Sequence, residues 1–229
     1  MNIGVSLVGV SYEDGFRNGN YRKVDFNETA NNIIESIIKP LSKNNNVFTY
    51  LTTYSHPYLN NLCEIYNPKK SQILQYSNSR MQLTYEQSMK QIINEDLDFV
   101  ISTRFDIQFL KKIDQIEIDF NKMNVLFREK GYRHKNYTCD NFYAFPKNML
   151  PAFTDSIRES LYIDNNGLHY LFNHFCSKIN INQTKIIDET DWVGRNNPYY
   201  YLPSVIREGF PTWNIQFAFL DTWEHMKFV

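Results

Sequence analysis

The 229-residue chain has no surplus of either charge: 24 Lys and Arg stand against 25 Asp and Glu, a formal −1 at pH 7. A protein that grips a nucleic-acid backbone carries a clear basic excess, so no nucleic-acid partner is expected. No apolar run approaches the ~20 residues needed to cross a bilayer, so no transmembrane segment is expected either. Cysteine is scarce. Cys63, Cys139 and Cys176 are widely spaced, odd in number and lack a Cys-x-x-Cys pattern. That usage points away from a disulfide framework or structural zinc and towards reduced thiols in a cytoplasmic setting. In that setting the Asn-x-Thr sequons at Asn27, Asn136 and Asn182 carry no weight. Neither Gly-x-Gly-x-x-Gly nor Gly-x-x-x-x-Gly-Lys-Ser/Thr occurs, which leaves a dinucleotide fold or a P-loop without support. No repeat, low-complexity tract or linker divides the chain.

What the chain does have is core. Hydrophobic residues make up 42% and aromatics 16% of it, enough for one large α/β domain over 1–229. The first half alternates strands with helices. Ile3 to Val10 is an apolar run of strand length and reads as the first core strand, not as a signal peptide. A polar loop, Ser11 to Phe26, is expected next. Asn27 then caps a helix with Ala30, Ile33, Ile34, Ile37 and Ile38 at helical spacing, closed or kinked by Pro40. Further strands are expected at Val47–Thr53, Gln72–Tyr76 and Asp98–Thr103, with helices over Tyr58–Ile65 and Met81–Ile93 between them. Helical crossovers imply a mostly parallel central sheet flanked by helices. Beyond Asp106 the sequence predicts strands at Val125–Phe127 and Phe142–Pro146, and helices over Lys147–Leu161 and Gly167–Ile179. A tail from Ile186 is rich in Tyr, Trp and Pro.

Ligands of an open parallel sheet gather beyond the carboxyl ends of its strands. That rule selects the loops after the first four strands. The fourth strand ends in Thr103-Arg104-Phe105-Asp106-Ile107-Gln108-Phe109, and Asp140-Asn141-Phe142-Tyr143-Ala144-Phe145-Pro146-Lys147-Asn148-Met149 follows downstream. Together "TRFDIQF" and "DNFYAFPKNM" resemble viral and bacterial GT-A glycosyltransferases that build surface polysaccharides, over roughly residues 1–180. In those families an Asp-x-Asp motif ending the fourth strand holds Mn2+ or Mg2+ against a nucleotide diphosphate. Here the motif is Arg104-Phe105-Asp106, so Asp106 aligns with the metal-touching acid and Arg104 stands in place of the first.

The resemblance implies a GT-A-like (Rossmann-like) fold, with a nucleotide-binding half over 1–110 and an acceptor-side half over 111–229. It implies a metal-assisted transferase that moves a sugar from a nucleotide-diphosphate donor, UDP-sugars favoured, to a glycan or other hydroxyl acceptor. The cytoplasm is the expected location, the host's if the chain is viral. Asp140 is the expected catalytic base. Val10, Ser11, Arg17, Arg80 and Arg104 are the candidates for contacts to the nucleotide, with Arg22 beside them. Asp106 is the metal ligand, and His169 completes the sphere from across the cleft, with Asp188 and Asp191 as further late candidates.

Blander readings stand beside these. Asp106 caps a turn or pairs with Arg104, which shares its face of the chain. Asp140 is a turn residue bonding backbone amides. His169 and His174 are ordinary half-buried histidines, five residues apart. The aromatics Trp192, Tyr199, Tyr200, Tyr201 and Trp213 form core packing rather than a sugar platform. The alternative function is a non-catalytic GT-A-like module that binds nucleotide or carbohydrate.

Overall fold

A computed structural model describes residues 1–17, 20–75, 81–129, 138–162, 171–192 and 197–201. The first strand, β1 (Asn2–Val8), is buried at every residue from Ile3 onward. The stretch expected as a polar loop is instead an antiparallel hairpin, β2 (Tyr12–Arg17) with β3 (Asn20–Asp25). Its glycines and charges hid it, because a two-stranded ribbon outside the main sheet has little apolar alternation to show. The helix that follows is capped by Asp25, whose carboxylate accepts from the Asn27 N–H at 2.9 Å, so Asn27 lies inside the first turn. This helix does not stop at Pro40. α1 (Phe26–Ile33) continues through a π-helical turn at Ile34–Ile38 into α2 (Lys39–Ser42), with Pro40 at the start of α2. The wider turn takes up the backbone register that proline, which has no N–H, would otherwise break.

β4 (Asn46–Tyr54), α3 (Leu59–Tyr66), β5 (Lys70–Leu74), α4 (Met81–Ile92) and β6 (Phe99–Arg104) then follow the expected rhythm. A short β7 (Gln108–Phe109), β8 (Met123–Glu129), β9 (Phe142–Pro146), α5 (Leu150–Tyr162) and α6 (Leu171–Cys176) come next. The start of the helix expected from Gly167 lies outside the described residues. The segment after Ile186 holds β10 (Thr184–Trp192), a strand of the main sheet, and a short β11 (Tyr200–Tyr201) that pairs with β7. Asp188, Glu189 and Asp191, with a bulge between Asp188 and Asp191, break the apolar pattern of β10.

The main sheet has seven strands in the order β10-β8-β9-β6-β1-β4-β5. β1 pairs in parallel with both β4 and β6, and β4 with β5. β9 runs antiparallel to both its neighbours, while β10 is parallel to β8. The chain is thus α/β, with a mostly parallel sheet flanked by helices. No helix among the described residues is long and apolar enough to cross a membrane.

Alternation along β1 and β6 sends Ile3, Val5, Leu7, Phe99 and Ile101 into one core, with Phe26, Ile33 and Ile37 of the first helix. Val8 and Val100 face a second core with Tyr85, Met89 and Ile92 of α4 and Phe153 of α5. Small residues of β1 leave room on that face for α4 and for the Leu97 side chain that follows it. A side chain at Gly4 would meet the Leu97 Cδ1 atom at 2.7 Å, and the buried Ser6 hydroxyl bonds directly to that of Ser88.

At the amino edge of the sheet, Glu95 is ringed by Lys69 (2.6 Å), Lys70 (2.5 Å) and the Tyr50 hydroxyl (3.1 Å). Nearby, Lys147 donates to the carbonyls of Ile92, Ile93 and Glu95 at 2.7–2.9 Å, closing the carboxyl end of α4. Bonds from Lys69 and then Lys70 pull the Glu95 carboxyl from 4.5 to about 2. A depressed carboxylate stabilises the fold fully above its unfolded value and loses that contribution as pH falls towards the folded one. We predict that Glu95→Gln destabilises by on the order of 1–2 kcal/mol at pH 7, the lysines being nearly half in water. Urea unfolding of mutant and wild type should show the gap narrowing between pH 5 and pH 2. A constant gap would contradict the assignment.

Candidate active site at the end of β6

The chain runs from β1 through β4 to β5 on one side, then returns to place β6 on the other side of β1. The carboxyl ends of β1 and β6 therefore flank the topological switch point, where open α/β sheets bind ligands. β1 leaves its strand through Gly9, whose φ of +102° disfavours a side chain and whose N–H donates to the Thr52 carbonyl at 3.0 Å. Val10 follows, half-buried. Ser11 is fully buried, so its side chain serves the protein interior: its hydroxyl lies 2.7 Å from the Thr53 Oγ1 and 2.8 Å from the His56 Nε2 atom. The His56 Nδ1 atom accepts from the Tyr58 N–H at 3.1 Å, and burial lowers the pKa of the ring. The neutral ring then carries its proton on Nε2, facing Ser11. Ser11 receives a hydrogen bond from His56 and has no base in it.

β6 ends at Arg104, and the two following residues turn the chain out of the sheet. Phe105 and Ile107 are buried in the core, and the Thr29 hydroxyl of α1 bonds the Phe105 carbonyl at 2.5 Å. Arg104 and Asp106, two apart, fall on the same side and meet. The Nε–H group donates to one Asp106 oxygen at 2.7 Å and Nη2–H to the other at 2.5 Å, a bidentate pair with 16% and 6% of the side chains exposed. Nη1–H donates to the Asn141 Oδ1 atom at 3.0 Å. Asn141 is held in turn: its Nδ2–H donates to the Tyr200 hydroxyl at 2.7 Å, and its carbonyl accepts from the Thr103 hydroxyl at 2.9 Å.

Asp140, half-buried, is the residue before Asn141, and its carbonyl accepts from the Tyr85 hydroxyl at 3.3 Å. Burial opposes the charge on Arg104, but the carboxylates of Asp106 and Asp140 outweigh it and raise the pKa, so the guanidinium is permanently protonated. The Tyr85 phenol is raised well above its ordinary value by burial first and the Asp140 charge next. Arg104, Asp106, Asp140 and Asn141 thus form one charged cluster at the end of β6.

No protein-family model matches the chain, and no curated protein matches its sequence.

The remaining candidates fare differently. Arg80 and His169 lie outside the described residues, as does Trp213. Arg17 is placed only by its backbone in β2, where it pairs with Asn20. Asp188 is occupied internally: it accepts from Trp192 Nε1–H at 3.0 Å, the Tyr199 hydroxyl at 3.2 Å and the Thr190 N–H at 2.9 Å. Burial opposes its charge, yet these donors hold it below the usual carboxylate range. Tyr199 and Tyr200 are buried, stacked on Phe127 at 6.1 and 5.9 Å, so they are core rather than an open sugar platform. His174 faces Glu159 at 3.3 Å. Asn141 and Tyr200 are the partners that sequence reading passed over. The signal for Asn141 was there: an amide at the mouth of an all-apolar strand needs a polar partner.

As arranged, these residues do not fit a divalent cation at Asp106. Arg104 takes both its oxygens, and no group of three His, Cys, Asp or Glu among the described residues is placed to hold a metal. Breaking a buried pair leaves an uncompensated charge, whereas replacing both partners need not. Asp106→Ala is therefore expected to destabilise by about 3–5 kcal/mol, and Arg104→Met with Asp106→Leu by much less. Urea unfolding of the three proteins checks this. Equal losses would mean that the pair is not compensated as described.

Proposed function

We propose that the chain is a glycosyltransferase that moves a sugar from a nucleotide-diphosphate donor to a hydroxyl of a glycan acceptor. The observation that carries this reading is the charged cluster Arg104–Asp106–Asn141, with Asp140 beside it, at the switch-point end of β6. The resemblance puts the acidic motif of GT-A transferases at the end of the fourth strand of the sheet. In this chain that strand is β6, the fourth of the main sheet in chain order, and Asp106 lies two residues beyond its end.

In a direct displacement the acceptor oxygen forms a bond to the anomeric carbon. The bond from that carbon to the diphosphate oxygen breaks, and its electron pair leaves on the phosphate. The acceptor proton passes to a carboxylate, which we assign to Asp140. Asp25 caps α1, Asp188 is held by Trp192 and Tyr199, and Asp106 is engaged by Arg104; Asp140 shares the electrostatic field of Arg104 without being its bidentate partner.

The saturation of Asp106 by Arg104 favours a second reading, a module of the same fold that binds nucleotide or carbohydrate without turnover. Binding and catalysis separate the two. One of UDP, GDP or CDP, at a hundredfold over its Kd, should raise the melting temperature by roughly 5–10 °C. With the matching nucleotide-sugar, Asp140→Asn should keep that binding and lower donor turnover by about 10²–10⁴-fold. Binding without turnover in the wild type would select the module, and no stabilisation by any diphosphate would remove both readings.

A further inference from the structure

This inference rests on the sugar-transfer reading and concerns how the leaving diphosphate is stabilised. We propose that the Arg104 guanidinium, fixed by Asp106 and Asn141, is the built-in cation that receives the charge developing on that diphosphate, so that transfer proceeds without a divalent metal. The position makes the case first. In the resembled motif an acid stands where this chain has Arg104, and the acid retained, Asp106, has its two oxygens turned to Arg104 at 2.7 and 2.5 Å. The aligned metal ligand is here the counter-ion of a side chain.

The donor inventory makes it second. A guanidinium has five N–H groups. Three are engaged: Nε–H and one Nη2–H by Asp106, and one Nη1–H by Asn141. Two remain among the described residues, one on each terminal nitrogen, on a side chain that keeps 16% of its surface exposed at the ligand edge of the sheet. A planar guanidinium with two donors to spare suits phosphate oxygens, and its orientation is set before the substrate arrives. Donors already aimed at the place where charge develops stabilise a transition state without reorganising. The carboxylates of Asp106 and Asp140 and the phenol of Tyr85 face it, and the two acids keep the guanidinium protonated at every working pH. Asn141, tied to Tyr200, stops the fork from rotating away.

The step balances without a further reagent. The carbon–oxygen bond to the diphosphate breaks with its electron pair going to the phosphate oxygen beside Arg104. The acceptor oxygen bonds the anomeric carbon, and its proton goes to Asp140.

Calorimetric titration of the full chain with UDP, GDP and CDP, in EDTA and separately with Mn2+ or Mg2+, tests the proposal. The expected result is one diphosphate binding with the same Kd, within about threefold, in EDTA and with metal. Arg104→Lys, which keeps the charge but loses the fork, should weaken that binding by roughly ten- to a hundredfold when measured at a temperature where the variant is fully folded. Arg104→Asp, which restores two acids around residue 105, should bind the same diphosphate only when metal is present. Wild-type binding that requires metal overturns the proposal and leaves sugar transfer standing. Binding in EDTA that Arg104→Lys does not weaken overturns it too. Absence of binding in every condition sinks the transferase reading itself.

Discussion

One buried ion pair organises the end of β6 and the residues that gather there. Arg104 and Asp106 are held at 16% and 6% exposure, where either charge alone would be strongly disfavoured. Such a pair is tolerable only when its remaining groups are also satisfied, and here Asn141 supplies the third contact. The pair contributes little net stability compared with apolar residues of the same volume. What it contributes is a single orientation for a guanidinium, at the switch point of the sheet. That combination is a poor use of a site for stability alone and a good one for recognising an anion.

The rest of the fold explains why the pair can sit there. β1 and β6 are held in parallel register from Ile3↔Phe99 to Val8↔Arg104, which brings the exit of β1 level with the guanidinium. The Ser6–Ser88 hydroxyl contact holds α4 against β1, and Tyr85 of the same helix reaches the Asp140 carbonyl. From the other face, Thr29 anchors the Phe105 carbonyl, and the Asn32 amide closes on both the N–H and carbonyl of Phe109 at 2.6 and 2.9 Å. The turn between β6 and β7 is thereby clamped at both ends by α1. Arg104 and Asp106 are presented by a backbone with little freedom to move.

Legibility in the sequence followed the physics of each segment. Strands buried on both faces, such as Ile3–Val8 and Phe99–Thr103, announce themselves as apolar runs, and the helix over Met81–Ile92 shows its period plainly. The β2–β3 hairpin did not, because it packs apart from the main sheet and carries Glu13, Asp14, Arg17, Arg22 and Lys23 among its residues. Pro40 misled for a different reason: proline's rule against helix interiors assumes an α-helical register, and the π-turn at Ile34–Ile38 changes it. At the site, the shared face of Arg104 and Asp106 was readable from a two-residue spacing. Which of two uses Asp106 would have, ligand or counter-ion, was not, since the choice depends on Asn141 and Tyr200 arriving from far along the chain.

That last dependence says something about how the site is assembled. Arg104 belongs to the fourth strand of the main sheet, Asn141 to the approach to β9, and Tyr200 to β11, which itself pairs with β7 just beyond Asp106. β8, β9 and β10, all after residue 110, join the same seven-stranded sheet as β1, β4, β5 and β6. The guanidinium is therefore oriented only when both parts of the chain have folded together, and the late pairing of β11 with β7 places the Tyr200 hydroxyl against the Asn141 amide. Loss of that strand would leave the Asn141 side chain with Arg104 alone and its main chain with Thr103, so the third contact of Arg104 would no longer be fixed from the far side. The orientation of Arg104 is written in non-local contacts. A short acidic motif shows where such a site lies, and the residues that hold it determine what it can do.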